Sequence, residues 1–458
     1  MVAAVPDYVG KSFAEAPPGH RFRLYFDGWE VGGGPITVDK SLQTLGRCGA
    51  FPASSSATAE GLRERQLLAC NPADLVKDAE ATSAFVTGMG LEHPIENGFA
   101  FLDPYGLPYL PGSSVKGVLR RAAEELALFG DPREDDWTIS DVWWLFGVDG
   151  ASAYWRPAPR AEKDTPEAQA ARGLWREAYR KAVERLSDAA LRELDPIFEA
   201  IGEPWLVDRR GTLLGLPDEP KQVAKLHNRG ALQVWDAIPL PPAKRMEVDV
   251  MTPHFPGYYQ DGKLPTDNQD PVPIYFLTLP AGTKMRFVVA CHPTGLEPAR
   301  VVRSARWKEL AASGLEHAFA WLGFGAKTTA GYGRFTVDKR LEQERQREVE
   351  RAAEAGRKRR EEEAARQAAE MLEQRRAGMS PVERDVEDAL AAAREGNEAR
   401  VTELFKKLEQ AQGEERLAYA VGLREAFTLL GKWTGKQSPK QTKKNEAVLR
   451  VLREGGKA

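Results

Sequence analysis

Little in this sequence would build a covalent or metal framework. Its cysteines, Cys48, Cys70 and Cys291, stand far apart, odd in number and without CxxC spacing. That pattern excludes a disulfide scaffold and a thiolate zinc site, and it fits a reducing compartment. Long apolar runs are also missing, and the opening stretch "MVAAVPDYVGKSFAEAPPGHRF" has no apolar h-region, so a cytoplasmic chain without a membrane anchor is expected. Nor does one sign of charge dominate. A formal net charge of −3 gives no global attraction to a polyanion, so any contact with nucleic acid has to use a local basic surface. The six histidines are scattered singly and none sits in a recognisable acid–base pair. Asp27, Asp39 and Asp103 are isolated where a metal-dependent site would need clustered carboxylates. No catalytic residue, metal or cofactor is therefore assigned.

A chain of 458 residues has room for about two or three domains. Up to residue 337, short β-type runs alternate with helical ones. Residues 20–29, 82–90, 230–240, 272–280, 283–292 and 332–339 are predicted strands, bounded by Pro and Gly or rich in β-branched and aromatic residues. Residues 113–129 are a predicted helix with Val115, Val118, Leu119, Ala122 and Leu126 on one face, and 315–323 a helix stopped by glycine. The class is α+β, with a helical insertion over 159–203 and a long Pro/Gly/Asp/Asn loop over 252–273. Three domains follow: 1–337, a charged helical linker over 338–378, and a small helical bundle over 379–458. Ser380–Pro381 and Ser438–Pro439 pair an N-cap with a proline at the first helical position.

Two stretches suggest chemistry. In "YLPGSSVKGVLRRAAEEL" (109–126) a lysine occupies the first helical turn, where the backbone dipole already presents positive charge. An anion on the helix start would explain it, and a solvated side chain would too. In "WLGFGAKTTAGYGRF" (321–335), four glycines surround Lys327, Thr328 and Thr329. Such a loop exposes backbone N–H groups beside a cation and hydroxyls, which suits phosphate. It is no Walker motif: Ala326 precedes the lysine, and the loop runs from helix to strand, the reverse of the P-loop direction. A tight turn that simply needs positive φ accounts for the glycines equally well.

"GLPYLPGSSVKGVLR" (106–120) resembles the PGSSxKGxxR helix start of the CRISPR-associated RAMP superfamily, and "GFGAKTTAGYGRF" (323–335) resembles its C-terminal glycine-rich loop. "VTGMGLEHPIENGFAFLDPYG" (86–106) and "VDVMTPHFPGYYQ" (248–260) narrow the resemblance to the sixth-subunit family of the type III-B (Cmr) effector complex. The resemblance implies a ferredoxin-like (RRM-type) core and assembly with CRISPR guide RNA, target RNA and other RAMP subunits. It also implies a place near the guide's 3′ end and a non-catalytic role in antiviral defence. The implied RNA-facing positions are Ser113, Ser114, Lys116 and Arg120, with Lys327, Thr328, Thr329, Tyr332 and Arg334. Residues after 337 lie outside that pattern.

His254, Tyr258 and Tyr259 in the long loop are candidates for stacking on unpaired bases. His93, beside a proline, reads as a turn histidine satisfied within the fold. The rival function is a RAMP-type endoribonuclease, for which His254 with Tyr258 is the best available acid–base pair. A protein–protein adaptor working through the charged segment and the bundle is the third reading. The basic stretch 431–445 reads first as a solvated helix face, with RNA or an acidic subunit as an alternative contact.

Overall fold

The central strand is written LVKDAEA, with two acids and a lysine in seven residues. In the computed structural model, which describes residues 2–10, 12–130, 137–148, 152, 154–155, 165–242, 244–252, 262, 264, 273–302 and 306–457, this strand is β1, Leu75–Ala81. It is followed by helix α1 (Gly112–Phe129), strands β2 (Leu232–Val234) and β3 (Lys284–Cys291), helix α2 (Arg306–His317) and strand β4 (Phe335–Val337). The four strands form one sheet in the order β4-β1-β3-β2, and every neighbouring pair is antiparallel. Arg286 stands opposite Asp78, and Val289 pairs with both Leu75 and Val234. A separate antiparallel pair, Glu247–Met251 with Ile274–Thr278, lies between β2 and β3 in sequence.

Successive residues of β3 point to opposite faces, and from Phe287 to Ala290 both faces are buried. Met285, Phe287 and Val289 are buried, and the Phe287 ring lies 5.0–5.8 Å from those of Phe319, Phe324 and Phe335. Val115, Leu119 and Ala122 put the buried face of α1 against the same cluster. The helical insertion runs beyond the expected 203. Helices Glu203–Val207 and Pro220–Val223 continue it, because Pro204 and Pro220 open helices at their first turn instead of breaking one. Its aromatics join the same core: Tyr154 stacks on Tyr179 at 4.9 Å, and Phe198 meets Trp143 at 5.2 Å and Trp205 at 4.9 Å.

Two expected strands are corrected. Residues 18–23 form a short helix, opened by Pro18, where the polar–apolar alternation of "HRFRLYF" suggested a strand over 20–29. The strand expected at 82–90 lies earlier, at β1, and Phe85 makes only an isolated bridge with Leu279. The remaining strands lie within their predicted ranges. The helix expected at 315–323 is the end of α2 followed by a π-helical turn, Ala318–Leu322, which stops at Gly323 with φ 73°. All three cysteines are free, and no described helix is long and apolar enough to cross a membrane.

The chain divides into two compact units, Met1–Arg345 and Gln346–Ala458. Residues 339–378 form one helix, about 60 Å long at 1.5 Å per residue, laced by i,i+4 pairs such as Arg357–Glu361 and Arg366–Glu370. In the second unit, helices Pro381–Arg394, Glu398–Gln410, Gly413–Leu429 and Pro439–Glu454 bury Leu404, Leu408, Leu423, Phe427, Val448 and Leu452 together. Ser380 and Ser438 cap their helices as the sequence indicates.

Asp78 makes β1 tolerable as a buried strand. It is fully buried, and three guanidinium groups converge on it: Arg286 at 2.9 Å, Arg345 at 3.3 Å and Arg63 at 3.7 Å. Arg63 also donates to the carbonyls of Ile238 and Lys284, and Arg345 to that of Val76. Burial, reinforced by the nearby Arg286 charge, brings Arg63 down to about 10, still protonated at neutral pH. Removing the carboxylate on which the three converge leaves largely buried cations without their shared partner. Asp78→Ala is therefore expected to cost about 3–5 kcal/mol in denaturant unfolding, and a loss under about 1 kcal/mol would contradict this account.

Candidate nucleic-acid interface

At the start of α1 the sequence motif divides between solvent and interior. Gly112 donates its N–H to Asp236 Oδ1 at 2.7 Å, fixing the helix start against the chain that leaves β2. Ser113 and Ser114 are exposed. Lys116 is half-buried, and its Nζ donates to the Leu232 carbonyl at 2.7 Å. Burial, with Arg120 and Arg229 nearby, lowers its pKa. Its partner within the chain is thus a carbonyl of β2. Arg120 likewise turns inward, donating to buried Glu124 at 3.2 Å and to Ser152 Oγ at 3.0 Å. Lys116 thus ties α1 to the sheet, and Arg120 ties it to Ser152.

The glycine loop is backed by the chain after β1. Ala326 N donates to Val86 O at 2.7 Å and Gly333 N to Ala84 O at 2.8 Å. Gly325 and Gly333 are required there: both have positive φ, and a Cβ would lie 2.1 Å from Val86 O and 1.9 Å from Phe324 O respectively. Lys327 also lies in the left-handed region, at φ 58°. Its half-buried ammonium sits 5.2 Å from the centre of the Phe276 ring and 3.6 Å from Met251 Sδ. Tyr332 donates to Asp249, and burial together with that acceptor pushes its hydroxyl up to about 12. Thr328 and Thr329 lie in a 3₁₀ turn; Thr329, Ala330 and Gly331 are exposed. Arg334 donates from Nη1 to the Ala320 carbonyl at 2.6 Å.

The loop therefore presents threonine hydroxyls, exposed backbone and one half-exposed lysine, braced by the pair Glu247–Met251/Ile274–Thr278. Asp249 and Met251 fall in the stretch 248–260 that carries the resemblance and Phe276 in a predicted strand, but nothing in the sequence marked them as partners of the loop, because they meet it only through long-range folding. The helix start and the loop are tied to different elements, β2 for the first and that strand pair for the second. The turn leading into the loop, Ala318–Leu322, packs against α1.

His254, Tyr258 and Tyr259 fall outside the described residues. His93 is satisfied within the fold: Nε2 lies 2.7 Å from the Phe22 carbonyl oxygen, Ile95 N donates to Nδ1, and the ring stacks on Phe22. Asp103 pairs with Arg23, while Asp27 pairs with Arg47, which also donates to Thr44, itself a donor to Asp39; among the described residues no three such groups gather into a metal-holding cluster.

Residues 78–167, which include most of β1 and the whole of α1, match the profile of the RAMP superfamily. A curated relative, the CRISPR system Cmr subunit Cmr6 of Pyrococcus furiosus, is 29% identical over 265 residues, 55% of this chain and 64% of the relative. The chain thus spans a little under two thirds of that relative's length. The crystal structure of Cmr6 from Pyrococcus furiosus aligns at 26% identity over 58% of this chain and 97% of its own, with a TM-score of 0.26. A cryo-EM structure of the type III-B Cmr-beta bound to cognate target RNA aligns at 14% identity over 65% of this chain and 70% of that one, with a TM-score of 0.35. Both superpositions are too loose to equate the folds. The profile and the sequence relative bear out the resemblance read from the motifs.

Two outcomes follow from this geometry. Gly333→Ala is expected to destabilise the first unit by about 2 kcal/mol or more in denaturant unfolding, since both its φ and its contact with Phe324 forbid a side chain. Burial holds His93 below the ordinary value of 6.5. Above pH 6.5 the ring is neutral folded or unfolded; below it the unfolded chain takes the proton first, and the stability His93 contributes declines until its folded pKa is passed. Unfolding titrations between about pH 7 and 5 should show a shallower pH slope in His93→Gln than in the parent, and equal slopes would refute the assignment.

Proposed function

We propose that this chain, carrying the RAMP profile over residues 78–167 and similar in sequence to Cmr6, is an RNA-binding structural subunit of a type III-B CRISPR ribonucleoprotein. In this reading it contacts guide RNA towards the 3′ end, lies beside target RNA and neighbouring RAMP subunits in the cytoplasm, and cuts nothing itself. The strand order β4-β1-β3-β2, with helices following β1 and β3, supports a ferredoxin-like core for the domain ending near 337. The charged segment 338–378 and the bundle 379–458 are then additions to that core.

One observation carries the RNA assignment. A braced loop with exposed backbone, hydroxyls at Thr328 and Thr329 and a partly exposed Lys327 is suited to a sugar–phosphate backbone. Such contacts set affinity and register without reading sequence. Ser113 and Ser114 extend the proposed surface at the helix start. Lys116 and Arg120 are positioning residues in it, holding α1 on β2 and on Glu124.

In the assembled complex, Lys327→Ala is expected to weaken guide binding irrespective of sequence and to reduce the salt slope by about one. Unchanged affinity and slope would remove the loop from the interface. Incubation with guide precursor and target, with and without Mg²⁺, should leave this subunit's contribution to cleavage at zero. Cutting that is abolished by His254→Ala would establish the endoribonuclease instead.

A further inference from the structure

Ten of the eleven tryptophans are buried or half-buried. Trp321 alone is exposed, with 70% of its surface open to solvent. It has no hydrogen-bond or ring partner among the described residues. The backbone that carries it is nonetheless tightly held. Trp321 lies in the π-helical turn Ala318–Leu322, whose Ala318 and Phe319 are buried in the core. Gly323 N donates to Ala318 O at 2.8 Å, and the Arg334 guanidinium donates to the carbonyl of Ala320, one residue before the indole. The wider π-helical turn closes α2 directly before the glycine loop.

The loop beyond this turn folds back on it. The Thr328 methyl lies 3.3 Å from where a Cβ on Gly323 would stand. The exposed indole is thus only two residues from a glycine in contact with the hydroxyl- and lysine-bearing turn. We propose that Trp321 is a stacking platform for one unpaired base of the RNA strand whose phosphates run along Thr328, Thr329 and Lys327. The inference rests on the proposed RNA-binding reading and deepens it. Every base has a π-face, so the platform accepts any of the four while the loop takes the backbone. A protein-docking hot spot is the competing use of an exposed indole. The surroundings favour a base, for the neighbouring exposed positions are Ala320, Gly325, Thr329, Ala330 and Gly331, a surface of open backbone and small side chains with no second large apolar group among them.

The test compares a single-stranded oligouridine with an abasic strand of the same length, using the full chain in its assembled complex. The parent is expected to prefer the base-bearing strand by about tenfold, and Trp321→Ala to lose that preference without altering the salt slope. Trp321→Phe, which keeps an aromatic face, should restore most of it. If Lys327→Ala lowers the salt slope while Trp321→Ala keeps full discrimination against the abasic strand, the platform is refuted and the RNA-binding loop stands. If neither strand binds the parent complex through this subunit, both fall. Loss of subunit assembly in Trp321→Ala with base discrimination intact would assign the indole to a protein partner and overturn the proposal. A thermal melt of each variant checks that the exposed substitution leaves the fold unchanged.

Discussion

A single carboxylate, that of Asp78, organises the first unit. Its charge is removed from water in the middle of the sheet, and three guanidinium groups from three other segments approach it. Arg286 ties β1 to β3 across the ladder, Arg63 ties helix Ala53–Ala69 to the sheet, and Arg345 ties in the first turns of the long helix. A buried ion group of this kind repays its desolvation only when its hydrogen bonds are directed well. The carbonyls of Val76, Ile238 and Lys284 take the donors that one carboxylate cannot. The same solution recurs twice: buried Glu124 meets Arg120, and buried Asp141 meets Arg300 and Arg306. These three carboxylates are met by arginine, whose planar fork can bond several acceptors at once, whereas buried Glu297 is held by Thr294 and the Gly295 backbone.

The loop depends on that sheet by a short path. Beyond Ala81 the chain continues through Ala84 and Val86, whose carbonyls receive the N–H groups of Gly333 and Ala326. Residues 84–86 are a backing for the loop more than a strand of their own. This explains why a stretch with strong β character at 82–90 forms no ladder beyond the bridge at Phe85. The partner that would have completed a strand is a glycine loop, and close approach of the two backbones leaves no space for side chains at Gly325 and Gly333.

Helices with local signals were legible in the sequence. The spacing of Val115, Leu119 and Ala122 and the Ser–Pro starts at 380 and 438 are properties of adjacent residues, and the structure places helices at each. Elements that depend on distant partners were not. β1 looks too charged to be buried until three arginines, two of them more than two hundred residues away, are folded around Asp78. The hydrogen bond of Lys116 to the Leu232 carbonyl was hidden in the same way, since its acceptor lies 116 residues further along the chain. Trp321 stood at the edge of a recognised motif, but residue type does not reveal that an indole faces water. The glycine loop itself was visible; its bracing by Asp249 and Phe276 was not.

Lys327 occupies a backbone conformation that an L-residue enters at a cost of about 1 kcal/mol and that glycine enters freely. The same loop uses glycine at four other left-handed positions. A fifth glycine would have relaxed the main chain and left a smoother turn. The chain instead keeps a long cationic side chain at the one place in the loop where the main chain resists it. The strain thus records a trade: conformational ease is given up so that an ammonium can rest on the Phe276 ring while part of it still faces outward.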